Sequence, residues 1–391
     1  MVRGKPDFWL MLIVFLLTGF GLVMVFSASY YDGLTNHNDS YYYFKRQLMW
    51  SLIAFLFFFV VANIPYTLYQ KYVGIILLSS LFVLLLVYVP FIGVELNGSN
   101  RWVQLGPIGF QPSELAKVGA IIYTASIMTK KQSYLHDFKR GLLPPLVVIG
   151  LFCLLIVLEP HFSSTVILLG SCMSIIFIAG ARIKHLLLLL SAGLPILVGV
   201  MLSASYRIDR LLVVQDPWKD PTDKGFQTIQ SLFAIGPGGL SGKGLGNSIQ
   251  KLAYLPMSQT DFIFAIIAEE LGFIGGSMLI LLFIALIFRG IRIAVRAPDS
   301  FGLFLGLGII TMFSIQALFN LGVVTAILPV TGVPLPFISY GGSSLLICMV
   351  SAGILLNISR YRTTPATRKQ AERNHSPRQT ARPRLATPYK M

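Results

Sequence analysis

Residues 255–288 read LPMSQTDFIFAIIAEELGFIGGSMLILLFIALIF. A polar, proline-containing approach ends at Thr260-Asp261, and an apolar run then continues to Phe288. A run of this length covers the roughly 20 residues that a helix needs to cross a bilayer core. Two acids, Glu269 and Glu270, nevertheless sit inside it. Charge in a membrane helix is costly and faces the bundle interior or a watery cavity. At about 100° per residue, Asp261 and Glu269 can face one side of the helix but stand ~12 Å apart along it. Glu270 lies about half a turn round from Asp261. The three acids therefore form no carboxylate pair. Asp261 sits at the mouth, and the glutamates need interior partners of their own. Asp261 could also cap the helix, although Ser258 and Thr260 could cap it equally well.

The same apolar pattern recurs along the chain. Of 391 residues, 55% are hydrophobic and 12% charged, about half the charged fraction of an ordinary soluble domain. Apolar runs fall at about 8–30, 46–64, 72–91, 113–129, 143–158, 163–181, 186–203, 262–288, 303–327 and 338–359. They are too long and continuous for barrel strands, so the expected fold is an all-α integral membrane protein with ten transmembrane helices. The first run is too long for a signal-peptide core and reads as an uncleaved span. Cys153, Cys172 and Cys348 all fall inside apolar spans and suggest neither disulfides nor a metal cluster.

The net charge of +15 is mostly a topology signal. Lys and Arg concentrate in alternate connections: Arg3 and Lys5, Lys71, then Lys130, Lys131, Lys139 and Arg140, then Arg182 and Lys184, then Arg289, Arg292 and Arg296. The positive-inside rule puts both termini in the cytoplasm, with Lys45 and Arg46 against the trend. The chain divides into a membrane domain, 1–360, and a basic cytoplasmic tail, 361–391, whose Pro, Ser, Thr and Gln read as disorder that can touch anionic lipid. Nothing here points to nucleic acid.

Four polar segments then share the outer side. The first is the large loop 204–261 between helices 7 and 8, whose apolar residues predict short helices on the rim. Its GPGGLSGKGLG stretch (236–246) fails as a phosphate loop, because Pro237 and Gly244 occupy positions that need Gly and Ser or Thr. A tight turn against packed helices is the better reading. The second segment, LNGSNRWVQLGPIGFQPSELAK (96–117), offers an Asn97-Gly98 turn, Ser113 as a helix cap, and a Glu114–Lys117 pair one turn apart. The third, VLEPHFSST (157–165), places Glu159 and a histidine, His161, able to titrate near neutrality, in a very short turn. The fourth, LPVTGVPLPFISYGGSSLL (328–346), breaks an apolar pattern, which membranes tolerate inside protein or beside a cavity. Together these frame one cavity with carboxylates Glu114, Glu159 and Asp261 and cations Arg101, Lys117, Arg207, Arg210 and Lys243. Cations suit an anionic substrate such as a pyrophosphate, and a carboxylate suits a general base.

These segments resemble the FtsW/RodA/SpoVE proteins, the SEDS family. The likeness covers nearly all of 8–360 and is carried by GSNRWVQLGPIGFQPSELAK, DPWKDPTDKGFQTIQS, AIGPGGLSGKGLG, LPMSQTDFIFAIIAEELGFIGG and LPVTGVPLPFISYGGSS in order. It is nearest in pattern to the FtsW/SpoVE branch of Bacillus-like bacteria. The resemblance implies a peptidoglycan glycosyltransferase of the bacterial cytoplasmic membrane that polymerises lipid II, an undecaprenyl-pyrophosphate disaccharide-pentapeptide, at the outer face. It serves cell division or sporulation and works with a class B penicillin-binding protein and other divisome proteins. The family's essential aspartate falls on Asp261, expected as general base. Arg101, Glu114, Lys117, Arg210, Lys243, Ser339, Ser343 and Ser344 are the expected substrate-binding residues. A divalent cation, Mg or Mn, is the candidate cofactor, and no nucleotide is needed because the donor is the lipid itself. Two positions depart from the family pattern: Met257 stands where members carry Glu, and His161 where they carry Asp. Both remove an acid near the proposed cavity and weaken the case for a metal. A lipid II flippase is the main competing function and would not need a base at the outer mouth. A non-catalytic scaffold for the penicillin-binding protein is the third, and leaves the buried charges unexplained.

Overall fold

The computed structural model of the chain describes residues 3–96, 99–105, 108–159, 161–202 and 205–361. The Asn97-Gly98 turn, the tail from 362 onward and the side chain of Arg207 lie outside them. The elements run α1 (Phe8–His37), α2 (Tyr42–Asn63), α3 (Thr67–Lys71), α4 (Val73–Leu85), β1 (Gly93–Leu96), β2 (Ser99–Leu105), β3 (Ile108–Phe110), α5 (Pro112–Lys131), α6 (Leu143–Leu158), α7 (Phe162–Ile178), α8 (Ile183–Leu202), α9 (Ser205–Gln215), α10 (Phe226–Ile235), α11 (Ile263–Val295), α12 (Ser300–Val324) and α13 (Gly342–Ser359).

Among the described residues, six helical stretches are long and apolar enough to cross a membrane: α1, α2, Phe138–Leu158, α11, α12 and α13. Shorter apolar helices include α4 and α7. The all-helical expectation needs one addition, a three-stranded antiparallel meander in which Val94 pairs with Trp102 and Val103 with Phe110. This meander holds Arg101 at the end of the bundle where α5 begins. The long connection between α8 and α11 carries the two short helices α9 and α10.

Helices α12 and α13 are mostly enclosed by protein, whereas α2 and α6 present most of their surface outward. Helix α5, which carries Glu114 and Lys117, packs against α4, α7 and α12 and keeps both charges from lipid. Phe58, Phe152, Phe304 and Phe313 fill the space between the helices.

The first and last described residues meet at one end of the bundle. The Gly4 amide donates to the Arg360 carbonyl at 2.8 Å, and the Asp7 amide to the Ser359 hydroxyl at 3.1 Å. Asp7 also caps α1, accepting from the Leu10 amide at 3.0 Å, and takes a two-pronged bond from Arg289 at 2.6 and 2.9 Å. Arg289 and Arg292 therefore lie inside α11, which runs past the Phe288 end expected from hydropathy.

Close helix approach depends on small residues, as membrane packing requires. Helices α13 and α2 lie side by side, and a Cβ at Gly353 would stand 2.8 Å from the Phe58 carbonyl oxygen. Gly353→Val is accordingly expected to destabilise the protein by about 1–3 kcal/mol through overpacking. Thermal unfolding of the detergent-purified protein checks this. Gly74→Ala is the control, since nothing lies within 4 Å of the added methyl, and it leaves the midpoint unchanged or raised.

Candidate active site

Asp261 enters α11 from a series of turns. The helix cap is Phe262, with no side-chain cap bond, so Asp261 does not serve as the cap. Its backbone is fixed instead: the Asp261 carbonyl accepts from Asn320 Nδ2 at 2.7 Å, and the preceding Thr260 carbonyl from Ser339 Oγ at 2.5 Å. Asn320 also donates to Val333 O at 2.9 Å, and Ser339 Oγ accepts from the Leu335 amide at 2.8 Å. Two irregular segments, 252–261 and 328–341, are thereby tied together around the carboxylate. Its Oδ2 lies 3.6 Å from where a Cβ on Gly332 would stand. Met257 and Phe337 both hold positive φ, at 56° and 65°, a strain that the surrounding structure must impose.

The half-buried Asp261 carboxylate makes no ion pair within 4 Å among the described residues, but it lies in the field of Arg101 from β2 and Arg210 from α9. Burial raises its pKa to about 6, and the two guanidinium groups partly oppose that rise. Arg101 donates from Nε to the Glu159 carbonyl at 3.3 Å, and Arg210 to the Val330 carbonyl at 3.0 Å. Arg210 also borders an open cavity of about 480 Å³ lined by Val213, Lys224, Gln227, Pro256 and Val330.

Behind Arg101 lies a buried polar layer. Glu114 and Lys117 form an ion pair of 2.8 Å that is almost fully enclosed. Ser113 is not the cap of α5; that position is Gln111, without a side-chain cap bond. The Ser113 hydroxyl and Gln111 Nε2 each sit 3.3 Å from His161 Nδ1, and the Ser164 hydroxyl lies 3.2 Å from Nε2. His161 is thus enclosed rather than wet. Burial, with Arg101 and Lys117 nearby, pushes its pKa well below the usual range, so it stays neutral near pH 7 instead of titrating there. Glu159 is 1% exposed, and neither side-chain oxygen has a hydrogen-bond partner among the described residues. Burial raises its pKa to about 8 against the opposing charge of Arg101, so it is mostly protonated at neutral pH.

The other expected residues divide. Ser339 fastens the two loops, Ser343 is buried with no hydrogen-bond partner for its hydroxyl among the described residues, and Ser344 lies in the first turn of α13, one turn before Cys348. Lys243 belongs elsewhere: it donates to Glu269 Oε1 at 2.8 Å, about two turns of α11 below Asp261. Glu269 also accepts from Ser248 Oγ at 2.5 Å and from the Ile249 and Gln250 amides. Glu270 is held by Ser27 of α1, at 2.6 Å, and by Lys251 at 2.8 Å. These are the interior partners the two glutamates require.

The glycine stretch packs as a tight turn. Helix α11 breaks at Gly272 (φ 64°, ψ −162°). There the loop replaces the lost helical bonds: the Lys243 and Gly244 amides donate to the Glu269 and Glu270 carbonyls, and the Phe273 and Ile274 amides to Gly239 and Leu240. Sequence reasoning missed Asn320, Gln111 and Lys251. A lone polar residue in an apolar helix, as at Asn320, was the available signal for the first.

The donor set around Asp261 is one carboxylate between two arginines, which suits an anion better than a divalent cation. Among the described residues no group of three or more His, Cys, Asp and Glu side chains converges.

Known proteins resemble the chain along most of its length. Residues 8–364 match the family model FTSW_RODA_SPOVE, described as cell cycle protein. The chain is 46% identical over 359 residues to stage V sporulation protein E of Bacillus subtilis (strain 168), covering 92% of this chain and 98% of that protein. It is 43% identical over 356 residues to the probable peptidoglycan glycosyltransferase FtsW of Geobacter sulfurreducens, covering 91% and 95%. Among solved structures, a chain from work on structural coordination of polymerization and crosslinking by a peptidoglycan synthase complex superposes with TM-score 0.74 at 28% identity, covering 91% of this chain and 98% of that one. The rod shape determining protein RodA of Thermus thermophilus superposes with TM-score 0.65 at 26% identity, covering 92% and 98%.

The buried Glu114–Lys117 pair yields a direct expectation. Lys117→Met strands the Glu114 charge and is expected to cost about 3–5 kcal/mol of stability. Adding Glu114→Gln recovers part of that loss. Unfolding midpoints of the two single variants and the double variant check this coupling.

Proposed function

The chain belongs to the FtsW/RodA/SpoVE family and is a peptidoglycan glycosyltransferase, and from that premise we propose that it polymerises lipid II at the outer face of the membrane with Asp261 as general base. It is a multi-pass protein of the bacterial cytoplasmic membrane, and its work is cell division or sporulation. The reading extends to ten spans with both termini cytoplasmic. The first and last described residues meet at one end of the bundle, and Asp261 sits toward the other, where β2, α9 and the irregular segments gather.

In the proposed reaction the acceptor's sugar 4-hydroxyl attacks the anomeric carbon of the donor. Its proton passes to the Asp261 carboxylate as the new C–O bond forms. The bond from the anomeric carbon to the diphosphate breaks, and its electron pair leaves with the undecaprenyl diphosphate. Arg101 and Arg210 supply the positive charge that the leaving group needs. Anchoring of the Thr260 and Asp261 carbonyls by Ser339 and Asn320 keeps the base in place. The Glu114–Lys117 pair, Ser343 and Ser344 form the polar floor. Lys243 is assigned to holding the loop through Glu269 rather than to substrate. No step is routed through Mg or Mn, because the residues beside Asp261 suit an anion. A class B penicillin-binding protein, with other divisome proteins, is the proposed partner that cross-links the product.

One observation carries this reading: Asp261 caps no helix, makes no ion pair within 4 Å among the described residues, and faces two arginines at the mouth of the bundle. A flippase has no need of such a base. The test is a gel assay of lipid II polymerisation by the purified protein, with and without a class B penicillin-binding protein, and with moenomycin to silence contaminating polymerases. Asp261→Asn is expected to lower the rate by about 10²–10⁴-fold while the protein stays folded. Equal ladders from both proteins would place the base elsewhere.

The raised pKa sets a pH dependence. An Asp261 carboxylate titrating at about 6 is ionised at neutral pH and becomes protonated as pH falls through that value. Activity is therefore expected to hold above pH 7 and to fall about tenfold per unit below about pH 6. A pH–rate profile of the wild type checks it, and an acid limb near pH 4 would show that burial does not tune this group.

A further inference from the structure

The stretch DPWKDPTDKGFQ (216–227) has a defined shape that the sugar transfer leaves unused. Asp216 Oδ1 accepts from the Trp218 amide at 3.1 Å, and the Gly225 amide donates to the Asp220 carbonyl at 2.9 Å. A Cβ at Gly225 would strike the Pro217 carbonyl, so the turn closes only on glycine. Trp218 packs edge-to-face on Phe233 of α10 at 5.6 Å. This turn, α9 and the start of α10 surround the cavity of about 480 Å³. Its size falls within the roughly 300–1,000 Å³ of ligand pockets.

The cavity is continuous with the site. Pro256 and Val330 in its wall come from the two segments that hold Asp261. Arg210 lines the cavity, bonds the Val330 carbonyl and acts on Asp261. The lining charge is mixed: Asp209 and Asp223 against Arg210 and Lys224. Lys224 pairs with Asp209 at 2.9 Å, with side chains 48% and 33% exposed. Such an exposed pair is weak and can exchange a partner for a ligand. Thr222, Asp223 and Gln227 make no side-chain hydrogen bond among the described residues. A lipid tail entering here would strip water from four charges. A diphosphate would meet two carboxylates. A short peptide bearing both carboxylates and an amine matches both signs.

We propose that this cavity binds the peptide of the lipid II donor. Lys224 takes a peptide carboxylate, Asp209 and Asp223 take its amine, and Thr222 and Gln227 bond its backbone. Arg210 stands at the junction with Asp261. The proposal rests on the polymerase reading but is not contained in it, since transfer of the sugar requires no contact with the peptide. The donor peptide branches from the same sugar ring whose anomeric carbon reacts. It therefore leaves the donor beside Asp261, where the cavity wall begins. The consequence is selectivity: the protein distinguishes donors by the charge of their peptide.

The test uses the full-length protein in detergent, with Asp223→Asn, Lys224→Met and Gln227→Ala. Asp223 and Lys224 are exposed, so their replacement leaves the fold intact, which thermal unfolding checks. The binding probe is a synthetic N-acetylated pentapeptide with two carboxylates and one lysine amine, titrated by calorimetry. Each charge removed is expected to weaken binding about three- to tenfold. In the lipid II assay the same variants raise KM by a similar factor with kcat near wild type. On lipid II whose peptide has been cleaved off, wild type and variants share one KM. Where the free peptide gives no heat, this KM comparison decides. Folded variants with wild-type affinity and wild-type KM overturn the proposal. So does an equal loss on both substrates, which is a structural effect. A loss seen only with the penicillin-binding protein present also overturns it, and makes the cavity a partner's dock. Failure of the polymerase reading looks different: the wild type then makes no ladder, and the pentapeptide titration still decides the cavity.

Discussion

A backbone that leaves the helix within a bundle of membrane helices must find its hydrogen bonds inside the protein. The break at Gly272 is where this chain meets that demand, and the arrangement around Asp261 depends on it. The loop at 239–244 lies along the broken turn and exchanges backbone bonds with it on both sides. The two glutamates just before the break then clamp the same loop by side chain, Glu269 through Lys243 and Ser248, Glu270 through Lys251 and Ser27. The loop that ends at Asp261 is thus stapled to the helix that Asp261 precedes. A Cβ at Gly272 or Gly242 would strike the facing backbone, so glycine at both positions is a condition of the contact.

The charges fall into two groups with different work. Those at the break are saturated: each carboxylate has a lysine and further donors, which makes them structural. At the mouth the Glu114–Lys117 pair is closed, but two other carboxylates are not. Asp261 faces arginines without closing on either, and Glu159 is buried with both oxygens unmatched. Saturated charge rigidifies a site, and unsaturated charge leaves it able to respond to a ligand. The neutral His161, held by Gln111, Ser113 and Ser164, completes the buried layer without adding charge.

Much of this was legible in the chain. Hydropathy located the helices because a bilayer imposes a length, and the Glu114–Lys117 pair followed from helical spacing alone. The failure of the glycine stretch as a phosphate loop was equally plain from its residues. Other assignments required the fold. Lys243 read as a substrate cation because it lies in the outer loop with the rest, and Ser113 read as a cap because it follows a proline. Neither residue carries a mark of its partner, which sits 26 positions away for Lys243 and 48 for Ser113.

By itself the sequence determined the class of protein, its apolar segments, the helix that Asp261 precedes and the family. These depend on local composition, spacing and recognisable motifs, which survive without knowledge of contacts. Only the tertiary structure decided which charges face each other. It put Arg101 of β2 and Arg210 of α9 beside Asp261, took Lys243 away to Glu269, and buried His161 and Glu159 together. The physical reason is that a charge's effect depends on distance and burial, and the fold sets both by joining residues far apart in the chain.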